Sequence, residues 1–210
     1  MKEYRFDIDA SYMDKFFSPI KNKTQIIELL MNSVKYMLLN QKIKKERACG
    51  EIILIIDKMS RLFFSKENKC FSIAFPFSVK YEDGYYFSFK NKMNIDGKLT
   101  SDIISFINNN NFTSNCSIEF ASPISDYQEL NDDNYWDLIR ELLLMEEGYI
   151  RYDYDRDNYD RHGQSDIHPL NHYDFFYSSN ATFKVGLKNG IDSAELIDLL
   201  NTKTICKFIL

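Results

Sequence analysis

An α+β fold, with helices packed on a mostly antiparallel sheet, is the class this sequence predicts. Three observations carry the expectation. Two well-formed stretches repeat apolar residues every three or four positions, the helical period. Several others alternate with a period of two, as strands do. Asp83-Gly84 sits between two such stretches, where it suits a hairpin turn. No internal repeat or Pro/Gly/Ser-rich linker interrupts the chain, so residues 1–210 are expected as a single domain.

The elements follow in order. Residues 23–40, KTQIIELLMNSVKYMLLN, place Ile26, Ile27, Leu30, Val34, Met37 and Leu38 at helical spacing, and Asn22 with Gln25 resembles a capping box. After the basic KIKKER at 42–47, a second helix is expected from Glu46 to Phe64, since Ile52, Ile55, Ile56, Met59 and Phe63 keep the same spacing. From Cys70 the period becomes two: Phe71, Ile73, Phe75, Phe77, Val79 and Tyr81 face one way, and residues 85–90 return. Pro76 cannot donate to a ladder, so that hairpin includes an edge or a bulge. A short helix near 101–109, a strand near 116–121 and an amphipathic helix over 133–147 follow, the last closed by Gly148. Strands are expected at 149–155, 171–178 and 181–187, then a helix at 193–200 opened by Asp192 and Glu195, then a closing strand.

Composition narrows the function classes. The chain is 44% hydrophobic and 27% charged, which is ordinary for a globular protein. A net charge of −5 argues against a general grip on nucleic acid, which needs a cationic surface, but leaves room for a local basic site. Cys49, Cys70, Cys116 and Cys206 make no Cys-x-x-Cys spacing and are read as reduced, mostly buried thiols. With no apolar leader and no bilayer-length apolar run, the expectation is a cytoplasmic protein without a membrane partner. Gly-rich phosphate loops, nucleophile elbows and dinucleotide fingerprints are missing, so no cofactor is expected.

All three histidines lie within residues 162–172, beside the alternating strip GYIRYDYDRD at 148–157. Alternation puts Arg151 and Asp153 on one strand face, His172 and Asp174 on the next strand, and Lys184 on a third. If the three strands are neighbours, these residues stand within cross-strand reach, and the opposite face is aromatic and packs on helices. His168 and His172 would stand roughly 13 Å apart on a straight strand at ~3.3 Å per residue, too far to share an ion. A third ligand would have to come from His162, Asp153 or Asp166, and no metal is expected. Histidine suits proton transfer near neutrality, and arginine suits the charge of a phosphorane. In that reading His168 and His172 move protons, Arg151 holds phosphate and Asp153 orients one of them. Lys184 and an exposed Tyr159 meet the substrate, Tyr159 by stacking on a base. A solvated face of surface ion pairs explains the same residues without chemistry.

The pattern R-x-D-x-D, then H-P-x-x-H, then the strand SSNATFKVGL resembles an uncharacterised family of bacterial proteins found among genome-defence and toxin-like genes. It is also similar to small toxin endoribonucleases that group Arg, Asp and paired His on a short antiparallel sheet. Such toxins often end the motif H-x-H; here the position two after His172 is Asp174. The resemblance covers residues 148–187 and implies Arg151, Asp153, His168 and His172 as the site of an RNA-cleaving enzyme. Two other roles stand beside it: a non-enzymatic protein-binding subunit of a defence or immunity complex, which the acidic charge and aromatic content suit, and a nucleotide-signal sensor that uses the same charged face without chemistry.

Overall fold

The computed structural model describes residues 1–58, 60–109, 134–163, 167–178 and 181–206. The architecture is α+β, as the patterning predicts. The chain sorts into two compact units, one from residues 1–13, 43–74 and 148–210, the other from residues 14–42 and 75–147.

The first unit is built on a seven-stranded antiparallel sheet. Its strands are β1 (Lys2–Asp9), β2 (Ala48–Ile56), β3 (Arg61–Lys66), β4 (Lys69–Ala74), β8 (Ile150–Tyr154), β9 (Asn171–Ser178) and β10 (Ala181–Leu187), hydrogen-bonded in that order. The expected helix over 46–64 is therefore two strands, β2 and β3. Residues 52–56 are apolar at every position, so a helical spacing can be picked out of a run that has no real period. The β-branched Ile52, Ile53, Ile55 and Ile56 favour the strand. Residues 52–55 are buried on both faces, which is what such a run requires.

One sheet face carries an apolar cluster of Ile53, Ile55, Phe63, Cys70, Ile150, Tyr152 and Tyr173 around Leu196 of the helix Ser193–Leu199. This is the aromatic, helix-packed face that the alternation predicts. Asp192 caps that helix with a full capping box through Glu195. On the other face Phe64 stacks on Phe71 with ring centroids 4.6 Å apart, beside buried Ile52, Leu54, Leu62 and Ile73.

The second unit holds β5 (Ser78–Tyr81), β6 (Tyr85–Phe89) and β7 (Met93–Asn94) in one small antiparallel sheet. The helix Lys23–Leu39 packs there on the helix Gly97–Ile107 and on β6. Asn22 caps the first of these by accepting from Gln25 N, but the Gln25 side chain accepts from Lys21 N, so only half of the box forms. The continuous stripe expected over 71–81 is interrupted: β4 ends at Ala74 and β5 begins at Ser78. Pro76 lies between them, where a residue without an N–H cannot carry a ladder. The helix expected over 133–147 runs Tyr135–Leu144 and buries Tyr135, Leu138, Ile139 and Leu142. Gly148 lies beyond its end at φ +52, and its carbonyl accepts from Arg61.

Cys49 and Cys206 are exposed and Cys70 is buried, so the expectation of mostly buried cysteines fails among the described residues; Cys116 lies outside them. Residues 201–206 form no strand, and the strand expected near 116–121 also lies outside the described residues. No helix among the described residues is long and apolar enough to cross a membrane.

Phe64 has no exposed surface. Phe64→Ala is expected to lower the unfolding free energy by about 3–5 kcal/mol. Urea denaturation followed by far-UV circular dichroism measures this.

Candidate functional site

Antiparallel pairing sets Arg151 on β8 opposite Asp174 on β9, and Asp153 opposite His172. β10 adds Lys184 opposite Asp174. On the other flank of β8, β4 sets Lys69 opposite Asp153 and Phe71 opposite Arg151. The charged face expected from alternation is thus assembled on one side of three neighbouring strands.

Arg151 is its hub. Its Nε donates to Asp153 Oδ2, one terminal nitrogen donates to Asp174 Oδ2, and the other reaches the Tyr149 hydroxyl at 3.5 Å. The side chain is 17% exposed and that of Asp174 only 7%. Burial disfavours the guanidinium's charge, but Tyr149, Asp153 and Asp174 outweigh it, and its pKa rises above the ordinary value. Lys69 Nζ stands 3.6 Å from Asp153 Oδ1, and burial lowers its pKa in spite of that carboxylate.

The histidines form a ladder from surface to interior. Exposed His162 stacks on His168 at 5.7 Å between ring centroids, and His168 meets His172 edge-on at 5.0 Å. The roughly 13 Å expected for a straight strand at ~3.3 Å per residue does not occur. β9 starts only at Asn171, and the chain turns over 167–170. His172 closes the turn by donating from Nδ1 to the Pro169 carbonyl at 2.8 Å. The Pro169 ring lies against β10 at Gly186, where a Cβ would come within 2.9 Å of Pro169 Cγ.

The two inner histidines differ. His172 is fully buried. A carbonyl can only accept and an ammonium can only donate. Nδ1 therefore carries the ring proton, and Nε2 accepts from Lys184 Nζ at 2.9 Å. Burial first, then Lys184, holds its pKa below the ordinary value against the opposing pull of Pro169, Asp174 and Asp153. The sequence reading makes His172 a proton mover, but a ring with no exposed surface and both nitrogens engaged does not meet a substrate. His168 is 15% exposed, and its Nε2 donates to Asp155 Oδ2 at 2.9 Å. Burial alone would raise the Asp155 carboxyl. Hydrogen bonds from the Asn158 side chain, His168 and the Asn158 amide outweigh this and bring it down to about 2.

Asp155 also bounds an open cleft of about 320 Å³ lined by Lys66, Asn68, Lys69, Arg151, Asp153 and Tyr154. Three cations thus face one concavity of small-ligand size. Tyr159 lies on the helix Arg156–Arg161 and is not among the described residues lining this cleft. Nor is Lys184, which is taken up by His172 and by Asp174 Oδ1 at 3.4 Å. Asp166 lies outside the described residues.

Sequence reasoning missed Asp155 as a partner of His168. The signal was present: an aspartate three residues before Asn158 opens the helix Arg156–Arg161 as its N-cap. It also missed Lys66 and Lys69, because the β3–β4 turn adjoins a segment read as a helix.

The depressed pKa of His172 fixes the sign of one pH effect. Its contribution to stability is complete above its ordinary value of 6.5 and is lost as pH falls toward the lower folded-state value. The melting temperature is therefore expected to fall between about pH 7 and about pH 5, and His172→Gln to flatten that slope. Thermal melts of both proteins across the range test it. Arg151→Met leaves buried Asp174 and partly buried Asp153 without their shared cation and is expected to cost about 3–5 kcal/mol, read by urea titration. Comparison of the chain with protein-family models, with curated proteins and with solved structures finds no match in any of the three.

Proposed function

We propose that this face belongs to an endoribonuclease of the defence or toxin type that cleaves RNA through its own side chains. The observation that carries the reading is the Asp155–His168 pair at 2.9 Å beside the cleft walled by Lys66, Lys69 and Arg151. A carboxylate bonded to one imidazole nitrogen orients the ring and stabilises the imidazolium that forms when the other nitrogen takes a proton. His168 Nδ1 then accepts the proton of a ribose 2′-hydroxyl, and the 2′-oxygen attacks the adjacent phosphorus. The 5′-oxygen leaves with a proton from Lys69, whose burial makes the ammonium a better acid. The products are a 2′,3′-cyclic phosphate and a 5′-hydroxyl. Lys66 and Arg151 supply positive charge where the phosphorane is most negative. Asp153 holds Arg151, and His172 is a positioning residue that holds Lys184 and packs against His168. The likeness of residues 148–187 to bacterial toxin endoribonucleases supports the same reading.

A second reading is a nucleotide-signal sensor. It is favoured by Arg151, whose guanidinium is committed to Asp153 and Asp174 and serves as a fixed charge rather than a mobile clamp.

End-labelled RNA incubated with the purified chain tests both. Cleavage is expected to yield cyclic-phosphate ends, to persist in EDTA and to fall at least about 100-fold in His168→Ala with the melting temperature retained. Expression of the wild type in a bacterial host should slow growth, and His168→Ala should relieve it. Full cleavage in His168→Ala overturns the acid–base assignment. A nucleotide-induced rise in melting temperature with no product selects the sensor.

A further inference from the structure

We infer that Asp153, His172 and Asp174 form the ligand set of a divalent transition-metal site, in which the Lys184 ammonium is the resident competitor. One donor atom from each residue lies within 4.8 Å of the others. His172 Nε2 stands 4.0 Å from Asp153 Oδ2 and 3.9 Å from Asp174 Oδ1. Ligands bound tetrahedrally to zinc stand about 3.4 Å apart, so closure by roughly half an ångström brings the imidazole to ligand distance of each carboxylate. Water would take the open position.

Three further observations point to a cation rather than to a settled core. His172 already has the arrangement of a metal ligand: Nδ1–H is tied to the Pro169 carbonyl, and Nε2 accepts from a cation, Lys184, with the two carboxylates near by. Asp174 Oδ1 is buried and accepts no hydrogen bond, an arrangement that native structures rarely leave unexplained. The group nearest to both is a cation, Lys184 Nζ, 2.9 Å from Nε2 and 3.4 Å from Oδ1. Lys184 is 37% exposed on the edge strand β10, so its flexible stem can withdraw to solvent. A second trio, Asp155, His168 and His172, is equally compact. There both carboxylate oxygens already accept hydrogen bonds, from Asn158 and His168, whereas in the first trio Asp153 Oδ2 accepts from Arg151 but Asp174 Oδ1 is left without one.

Charge decides the class of ion. Exchanging an ammonium for a dication adds one positive charge beside Arg151 and Lys69. Magnesium and calcium, held by oxygen ligands and charge, gain nothing from the imidazole. Zinc, cobalt and nickel do gain from it. This inference goes beyond the cleavage reading and does not rest on it, because the proton-moving pair there is His168 with Asp155.

Cobalt(II) titrated into the full chain, followed by visible absorption, is the test. Wild type is expected to give a nitrogen/oxygen-ligand spectrum without the thiolate charge-transfer band that Cys49 or Cys206 would produce. Lys184→Met, which removes the competitor from an exposed position, is expected to bind at least tenfold more tightly. His172→Gln and Asp174→Asn are expected to lose the spectrum, with folding verified by circular dichroism. A tenfold excess of magnesium is expected not to displace cobalt. Absence of the spectrum in both wild type and Lys184→Met overturns the site. So does binding that survives Asp174→Asn and is lost in His168→Ala. RNA cleavage is assayed separately in EDTA, so failure of one proposal leaves the other readable.

Discussion

Two carboxylates, Asp153 and Asp174, project from neighbouring strands onto one largely covered face, and the Arg151 guanidinium lies between them. Each carboxylate alone would pay a desolvation cost of several kcal/mol, and together they would repel. A planar cation with several fixed donors can satisfy both at once, which a lysine at the same position could not do with the same geometry. The consequence is mechanical. Arg151 joins β8 to β9 through side chains as well as through the ladder, and Lys184 joins β10 to the same carboxylate. A one-residue slip between β8 and β9 would turn Tyr173 toward Arg151 and strand the charges on the apolar side. The ion network therefore acts chiefly on register, where a buried ion pair is better attested than as a source of net stability.

That network divides a single sheet face into two chemistries. Across β2, β3 and β4 the face is Ile52, Leu54, Leu62, Phe64, Phe71 and Ile73; across β8, β9 and β10 it is Arg151, Asp153, His172, Asp174 and Lys184. The boundary falls at the pairing of Phe71 with Arg151, where the Tyr149 hydroxyl offers the guanidinium a further partner and its ring packs on Phe71. The reverse face is mostly apolar from Ile53 to Tyr173, and the polar pair buried on it, Arg61 and Ser72, is joined by a hydrogen bond. The sheet can therefore be held by its apolar cluster while the charged face carries the requirement for partners.

The same contrast explains what could be read from the amino acids. Residues 151–154 and 172–175 alternate polar with aromatic, so their period is legible, and the cross-strand set followed from it. Residues 52–56 hide their period because every position is apolar, and β2 and β3 were read as a helix. The approach of His168 to His172 was not legible, because it depends on where β9 starts and on the Pro169 ring resting at Gly186, a contact between residues 17 apart in sequence. The partnership of His168 with Asp155 needed both that turn and the helix capped by Asp155. The burial of His172 needed all of these. Alternation predicts which face a side chain takes; it says nothing of how far that face is covered.

Coverage is what separates the roles of the histidines. Moving inward, the rings pass from exposed His162 through partly exposed His168 to His172, which has no surface at all. Each is in contact with the next, so the position of His168 is set by packing on both sides and by Asp155 at Nε2. A ring constrained in this way loses little freedom when a ligand arrives, and fixed dipoles of this kind make electrostatic sites effective. His172 then matters to the position of His168 although it is not among the described residues lining the cleft. Arg151 fixes β9 against β8, His172 fixes the turn through Pro169, and the turn delivers His168 to Asp155, which lines the cleft. The arrangement at the surface of this sheet thus depends on the satisfaction of charges beneath it. A substitution at His172 would first be felt as a displaced His168, whereas one at Arg151 would also remove a cation from the cleft wall.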